Sequence, residues 1–406
     1  MAHIYQRLGL RPIINARGTH TRLGGTLIRP EVLEAMREAA AAYVVLDELQ
    51  DKASEVIAQA TGAEAGLVVG GAEAGLLIGT AAILAGTDPA RIAQLPVTDG
   101  MKNEAIMYRA HRNGYDHGVR AAGARIIDVG YGGSALPYQL QAAINERTAL
   151  VVYLTSPWAS HGALSLEKTC EIAHQANVPV LVDAAAMLPP ANNLKRFIAE
   201  GADLVTFSGG KGLMGPQSSG ILAGRADLIR AARLNGSPYH SVGRAAKAAK
   251  EDIVGLIVAL RMYMQRDHDA DIAMWRRQAE WMLARLSDFP GVTTSYLHDG
   301  REHPVPRVEL LFAPECGIDA HELVLALEEH DPRVFLFEPT GPSAKPNSIV
   351  INTQTMQPGE ERIVVEALQE AIAARLTSSG SVPGENSILE AVHARSVDAM
   401  ARSART

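Results

Sequence analysis

The chain has 406 residues, more than one hydrophobic core usually serves, so two domains are expected. Its 47% hydrophobic and 20% charged residues mark an ordinary globular chain, and a formal charge of −7 with lysine and arginine spread along the sequence gives no basic stripe for nucleic acid. Cys170 and Cys316 lack CxxC spacing and no histidine pair stands at ligand spacing, which argues against a disulfide framework and a metal site.

The amino-terminal stretch "MAHIYQRLGLRPIIN" has no basic segment leading into an apolar run. The longest apolar stretches, such as "GLLIGTAAILAG", are too short for a bilayer, so a cytoplasmic protein with no membrane association is expected. Further along, "AGLVVG" from Ala65, "ARIIDVG" from Ala124, "TALVVYLT" from Thr148, "VPVLVDAA" from Val178 and "DLVTFSGG" from Asp203 read as strands. Helical patterns separate them, among them "SLEKTCEIAHQAN", which Ser165 can cap. The alternation predicts an α/β fold with a mainly parallel sheet, and strands apolar throughout predict burial on both faces. A helical stretch from Glu251 to Ser287 follows, and "GVTTSYLHDG" and "PRVELLF" then read as strands of a smaller α+β domain. The boundaries read as an N-terminal segment 1–50, a large domain 51–250, a linking helix and small C-terminal domain 251–376, and a linker with a tail helix 377–406.

In a parallel α/β sheet ligands collect beyond the carboxyl ends of the strands. Three ends carry suggestive groups: Asp183 closes "VLVD", Ser208 and Lys211 close "VTFSGGKG", and a Gly70-Gly71 turn ends "GLVVGG" and opens a helix at Ala72. Each alone has a plain structural reading, as a helix cap, a solvated loop lysine or a chain reversal. Together they suit pyridoxal 5'-phosphate, whose aldehyde needs a lysine amine, whose ring nitrogen needs a carboxylate and whose phosphate needs backbone amides. Lys211 is the candidate Schiff-base lysine, and Asp183, 28 residues upstream, the partner of the pyridine nitrogen. Gly71, Ala72 and Ser208 are the candidate phosphate ligands.

The segments "INARGTHTRLGG", "TGAEAGLVVGGAEAG", "HRNGYDHGVRAAGARIIDVG", "VLVDAA", "TFSGGKGLMGPQSSGILAGR", "GRAAKAAKEDIVGL" and "INTQTMQPGEE" carry a family resemblance that runs from about Leu8 to Leu376. The chain resembles the fold-type I pyridoxal-phosphate enzymes of the selenocysteine synthase-like group, and within it the D-glucosaminate-6-phosphate ammonia-lyase-like proteins. The resemblance implies the same roles for Lys211 and Asp183, a homodimer or higher assembly, and a ring covering one face of the cofactor, with His111 chosen ahead of Tyr115. Arg17 and Arg22 in the first segment, and Arg244 and Lys247 in "GRAAKAAKE", are the candidates for a substrate carboxylate or phosphate.

One electron sink serves several reactions, so fold and cofactor alone do not select among them. The expected activity is a lyase that removes ammonia by α,β-elimination from a small hydroxylated amino acid or amino-sugar acid, giving a 2-keto acid. A racemase or aldolase of a small amino acid is the alternative, and a pyridoxal-binding protein without turnover a third reading. The acidic balance disfavours a charged tRNA as substrate.

Overall fold

The computed structural model describes residues 3–156, 162–297, 304–339 and 345–377. They form two compact units, one built on residues 19–268 and the other on residues 3–18, 269–297 and 305–377 of the described chain. In chain order the strands are β1 (Ile13–Asn15), β2 (Ala65–Val69), β3 (Glu104–Tyr108), β4 (Arg125–Val129), β5 (Thr148–Leu154), β6 (Val180–Asp183), β7 (Leu204–Ser208), β8 (Gly220–Gly224), β9 (Val292–Leu297), β10 (Arg307–Phe312), β11 (Arg333–Phe335) and β12 (Ser348–Asn352).

Strands β2 to β8 make the seven-stranded sheet of the larger unit, in the order β2-β8-β7-β6-β5-β3-β4. Only β8 is reversed, pairing antiparallel with β2 and with β7, while the other neighbours are parallel. Alternate side chains feed two separate cores. Val68, Ile106, Val151, Val180 and Val205 enter one, and Leu67, Met107, Leu150, Leu181 and Leu204 the other. Burial on both faces is why the strands read as unbroken apolar runs.

The helix Ala72–Ala85 lies against the second face and is buried along most of its length. Its close approach depends on Gly75, where a β-carbon would come within 2.2 Å of Thr206 Oγ1 on β7. At the β2 edge the helix Leu46–Thr61 supplies what a missing strand would. The Gln50 amide donates to the Val68 carbonyl at 2.8 Å and accepts the Val68 N–H at 3.0 Å, and Ser54 Oγ accepts the Gly66 N–H at 2.9 Å. This helix runs across residue 50, where the sequence suggested a boundary.

The helical stretch expected from Glu251 to Ser287 is two helices, Lys250–Gln265 and His268–Leu286. The first helix ends at Arg266 in extended backbone, His268 Nε2 lies 2.9 Å from the Tyr263 carbonyl, and Asp269 and Asp271 occupy the first turn of the second. Polar groups that satisfy helix ends thus break the run. Helix Lys250–Gln265 belongs to the larger unit. Ser165 caps Leu166–Gln175, its Oγ accepting the Lys168 N–H at 3.2 Å.

In the smaller unit β9, β10 and β12 form an antiparallel sheet with β10 central, and β1 pairs with β11 in parallel. Leu310, Ile349 and Ile351 of that sheet share a core with Leu323 and Leu327 of the helix Ala320–Glu329. The tail helix suggested beyond residue 377 lies outside the described residues. Among the described residues no helix is long and apolar enough to cross a membrane.

The Gly75–Thr206 contact makes a direct test of this packing. Replacing Gly75 by alanine should cost about 1–3 kcal/mol, the usual cost of overpacking a close-packed contact, measured by denaturant unfolding; unchanged stability would mean that helix and sheet are farther apart than 2.2 Å to Thr206 implies.

Candidate active site

Asp183 is the last residue of β6 and alternates with Leu181, so its carboxylate faces the helix Ala72–Ala85. It is buried, with 5% of its surface exposed, and Oδ1 accepts the Ala185 N–H at 3.0 Å. Lys211 follows the neighbouring strand β7, in the loop leading to β8. Gly209 N–H donates to the Ser219 carbonyl at 2.8 Å and Gly215 N–H to the Gly209 carbonyl at 2.9 Å, which closes the loop on itself. Thr26 clamps it from outside: its N–H donates to the Gly210 carbonyl at 3.1 Å and its hydroxyl to the Lys211 carbonyl at 2.9 Å.

Two opposite charges therefore share a place with little water. Burial pushes the Asp183 carboxyl above its ordinary range, against the Ala185 N–H and the Lys211 charge, while Glu73 adds to the rise. Burial likewise pulls the Lys211 amine down, against the attraction of Asp183. An amine held in this way is neutral, and so nucleophilic, at a lower pH than a solvated lysine.

The other expected residues divide into two sets. Ser208 pairs across the sheet with Gly220 of β8, and a methyl group on Gly220 would lie 2.6 Å from the Gly71 carbonyl carbon, so Ser208, Gly71 and Ala72 meet at one end of the sheet. Gly71 opens its helix at φ +123°, ψ 168°, a conformation suited to glycine. The segment with Arg244 and Lys247 crosses the same turn, since a β-carbon on Gly70 would sit 2.8 Å from the Ala246 carbonyl oxygen. Arg244 is half-buried and Lys247 exposed. Arg22 is exposed on a 3₁₀ turn, Thr21–Leu23. Arg17 belongs to the smaller unit, half-buried, where its charge acts on Glu338. Burial first and the Asp319 charge second push the Glu338 carboxyl up, and Arg17 opposes them.

His111 ends the 3₁₀ turn that follows β3 and is fully buried. Its ring meets Tyr153 and Tyr108 edge-on, with centroids 4.5 and 5.1 Å away. Nδ1 accepts the Leu154 N–H at 3.2 Å, and burial lowers the imidazole pKa to about 4. The ring is therefore neutral at physiological pH with its proton on Nε2, and that buried nitrogen has no hydrogen-bond partner. The sequence pointed to the face of this ring; the structure leaves its Nε2–H edge unsatisfied.

The SelA family model, described as L-seryl-tRNA selenium transferase, matches residues 116–278. The D-glucosaminate-6-phosphate ammonia lyase of Salmonella typhimurium is 32% identical over 374 residues, 91% of this chain and 97% of that protein. The 5'-C-glycyluridine monooxygenase-decarboxylase of a Streptomyces species is 31% identical, over 91% of this chain and 92% of its own length. A solved structure of D-glucosaminate-6-phosphate ammonia-lyase superimposes with a TM-score of 0.78 at 32% identity, covering 92% of this chain and 99% of that one.

The electrostatics of the pair can be tested on cofactor-free protein. The pH of half-maximal modification of Lys211 by an amine reagent should fall below the ordinary lysine value of about 10.4, and Asp183→Asn should lower it further by removing the charge that favours the ammonium form. An ordinary profile in both proteins would contradict the burial of the pair.

Proposed function

The chain belongs to the selenocysteine synthase-like family of fold-type I pyridoxal-phosphate enzymes that includes D-glucosaminate-6-phosphate ammonia lyase, and we propose that it removes ammonia from a small hydroxylated amino acid, with an amino-sugar acid as the preferred class. The observation that carries this reading is the pairing of buried Asp183 with half-buried Lys211 at adjacent strand ends, in a chain 32% identical to an ammonia lyase over 91% of its length.

The residues fit the cofactor. A buried carboxylate with a raised pKa calls for a cationic partner, which a protonated pyridine nitrogen supplies, and the half-buried amine beside it, its pKa lowered by desolvation, is the group that condenses with an aldehyde. We assign Asp183 to the ring nitrogen, Lys211 to the aldehyde, Gly71, Ala72 and Ser208 to the phosphate, and His111 to the ring through its unpartnered Nε2–H. When bound, the cofactor withdraws electrons from the substrate's α-carbon.

Asp183 keeps the proton on the ring nitrogen by charge. Lys211 Nζ takes the α-proton of the substrate, and the β-hydroxyl leaves as water. The resulting enamine tautomerises and hydrolyses to a 2-keto acid and ammonia, consuming the water that elimination released. Arg22, Arg244 and Lys247 are the proposed partners of the substrate's anionic groups. A homodimer, a cytoplasmic location and the absence of a nucleic-acid partner belong to the same reading; the charge of −7 supports the last.

Purified holoprotein offered D-glucosaminate 6-phosphate, its unphosphorylated form and both enantiomers of small hydroxyamino acids should release ammonia and 2-keto acid in equal amounts without oxygen uptake. Oxygen consumption would move the assignment towards the chemistry named for the Streptomyces relative. Exchange of the α-hydrogen without ammonia release would move it to a racemase.

Borohydride reduction of the holoprotein and peptide mapping should place the pyridoxyl group on Lys211. Asp183→Asn should retain visible cofactor absorbance while losing most turnover, and wild-type turnover would make Asp183 structural only. An arginine that contacts a substrate anion should, as alanine, lower kcat/KM about tenfold or more, the equivalent of roughly 1.5–3 kcal/mol for a charge-assisted hydrogen bond.

A further inference from the structure

The larger unit holds a cavity of about 280 Å³ that includes none of the residues assigned above. It lies at the carboxyl end of β5, bounded by the first turn of the helix Leu166–Gln175 and by the helix Asn193–Ala199. Thr155, Ser156, Glu167, Arg196, Phe197 and Glu200 supply its character.

Ser156 is 5% exposed, and its Oγ has no hydrogen-bond partner. A buried hydroxyl in that state is costly unless a ligand or water completes it. Arg196 Nε lies 2.5 Å from Glu200 Oε1 and its guanidinium stands 5.6 Å from the centre of the Phe197 ring, so the wall carries an ion pair next to an apolar surface. Glu167 adds a second carboxylate in the first turn of its helix. Thr155 donates both its N–H, at 2.9 Å, and its hydroxyl, at 3.0 Å, to the carbonyl of Asp183, which joins this wall to the strand end of the candidate active site.

The lining selects among ligand classes. A phosphate or simple carboxylate would meet two carboxylates for one guanidinium, which disfavours it. Hydrocarbon would leave Ser156 without a partner. A hydroxyl both donates and accepts, so a chain of hydroxyls can meet Ser156, the carboxylates and Arg196 in turn, with its carbon backbone against Phe197. The volume falls near the lower end of small-molecule sites, about 300–1,000 Å³. We propose that this cavity binds the hydroxyl-bearing chain of a polyol, either as a free molecule or as the chain of the enzyme's own substrate.

Calorimetric titration of the holoprotein with sorbitol should show saturable binding. Ser156→Ala, which removes only the unpartnered hydroxyl, should weaken it roughly three- to tenfold, the range for one neutral hydrogen bond, while leaving the melting temperature equal or higher. Glu200→Gln should also weaken sorbitol binding. Sorbitol that raises KM for the amino acid in proportion to its occupancy would identify the substrate's chain as the occupant; binding without an effect on KM would identify a separate ligand. Absence of saturable binding, affinity unchanged in both variants, or inorganic phosphate binding that Arg196→Ala abolishes would overturn the proposal. The titration needs no turnover, so its failure is distinguishable from failure of the lyase reading.

Discussion

A carboxylate and an ammonium withdrawn from water at the ends of adjacent strands each lose hydration that the other restores only in part. Asp183 and Lys211 are placed in that position by the order of the sheet, since β6 and β7 are neighbours and point the same way. Much of the surrounding structure keeps the pair from relaxing into solvent. The loop that carries Lys211 is closed by Gly209 and Gly215 and pinned through its carbonyls by Thr26, and the helix Ala72–Ala85 is drawn onto the sheet over Asp183. The result is an amine with a depressed pKa and a carboxyl with a raised one, each shift caused chiefly by burial and opposed by the other's charge.

How far this could be read from the sequence depends on where each residue's partners lie. Strands buried on both faces announce themselves as apolar runs, and β2, β5, β6 and β7 carry that signal in their own residues, whereas β4 and β10 were read as strands despite the charges they contain. β3 was missed because "EAIMY" begins with a buried glutamate, and nothing in the five residues of β8 encodes its reversed direction. Asp183 and Lys211 were legible because their meaning is positional, at the ends of such runs. Thr26 was not: its partners are backbone carbonyls 184 and 185 positions away, and any sequence could present those. For His111 the residue was visible and its surroundings were not, because Tyr108 and Tyr153 come from two different strands.

The relatives' names attach to ammonia elimination, selenium transfer to tRNA, and a monooxygenase-decarboxylase activity. One electron sink can serve several reactions, so within such a family the groups around it are what can distinguish one activity from another. In this chain the groups proposed for that task are charged side chains on loops, while the cavity beside β5 places an unsatisfied hydroxyl among carboxylates, a guanidinium and the Phe197 ring.

The amide of Gln50 completes the edge strand β2 as a neighbouring peptide would, offering one donor and one acceptor at Val68. At the opposite edge, β4 is five residues long and turns Arg125 and Asp128 to solvent. Gln50 thus blocks part of the backbone ladder at β2, and the two exposed charges on the short β4 disfavour strand addition there. Any contact between copies at the β2 edge would therefore have to be made by side chains, whose pattern can be specific.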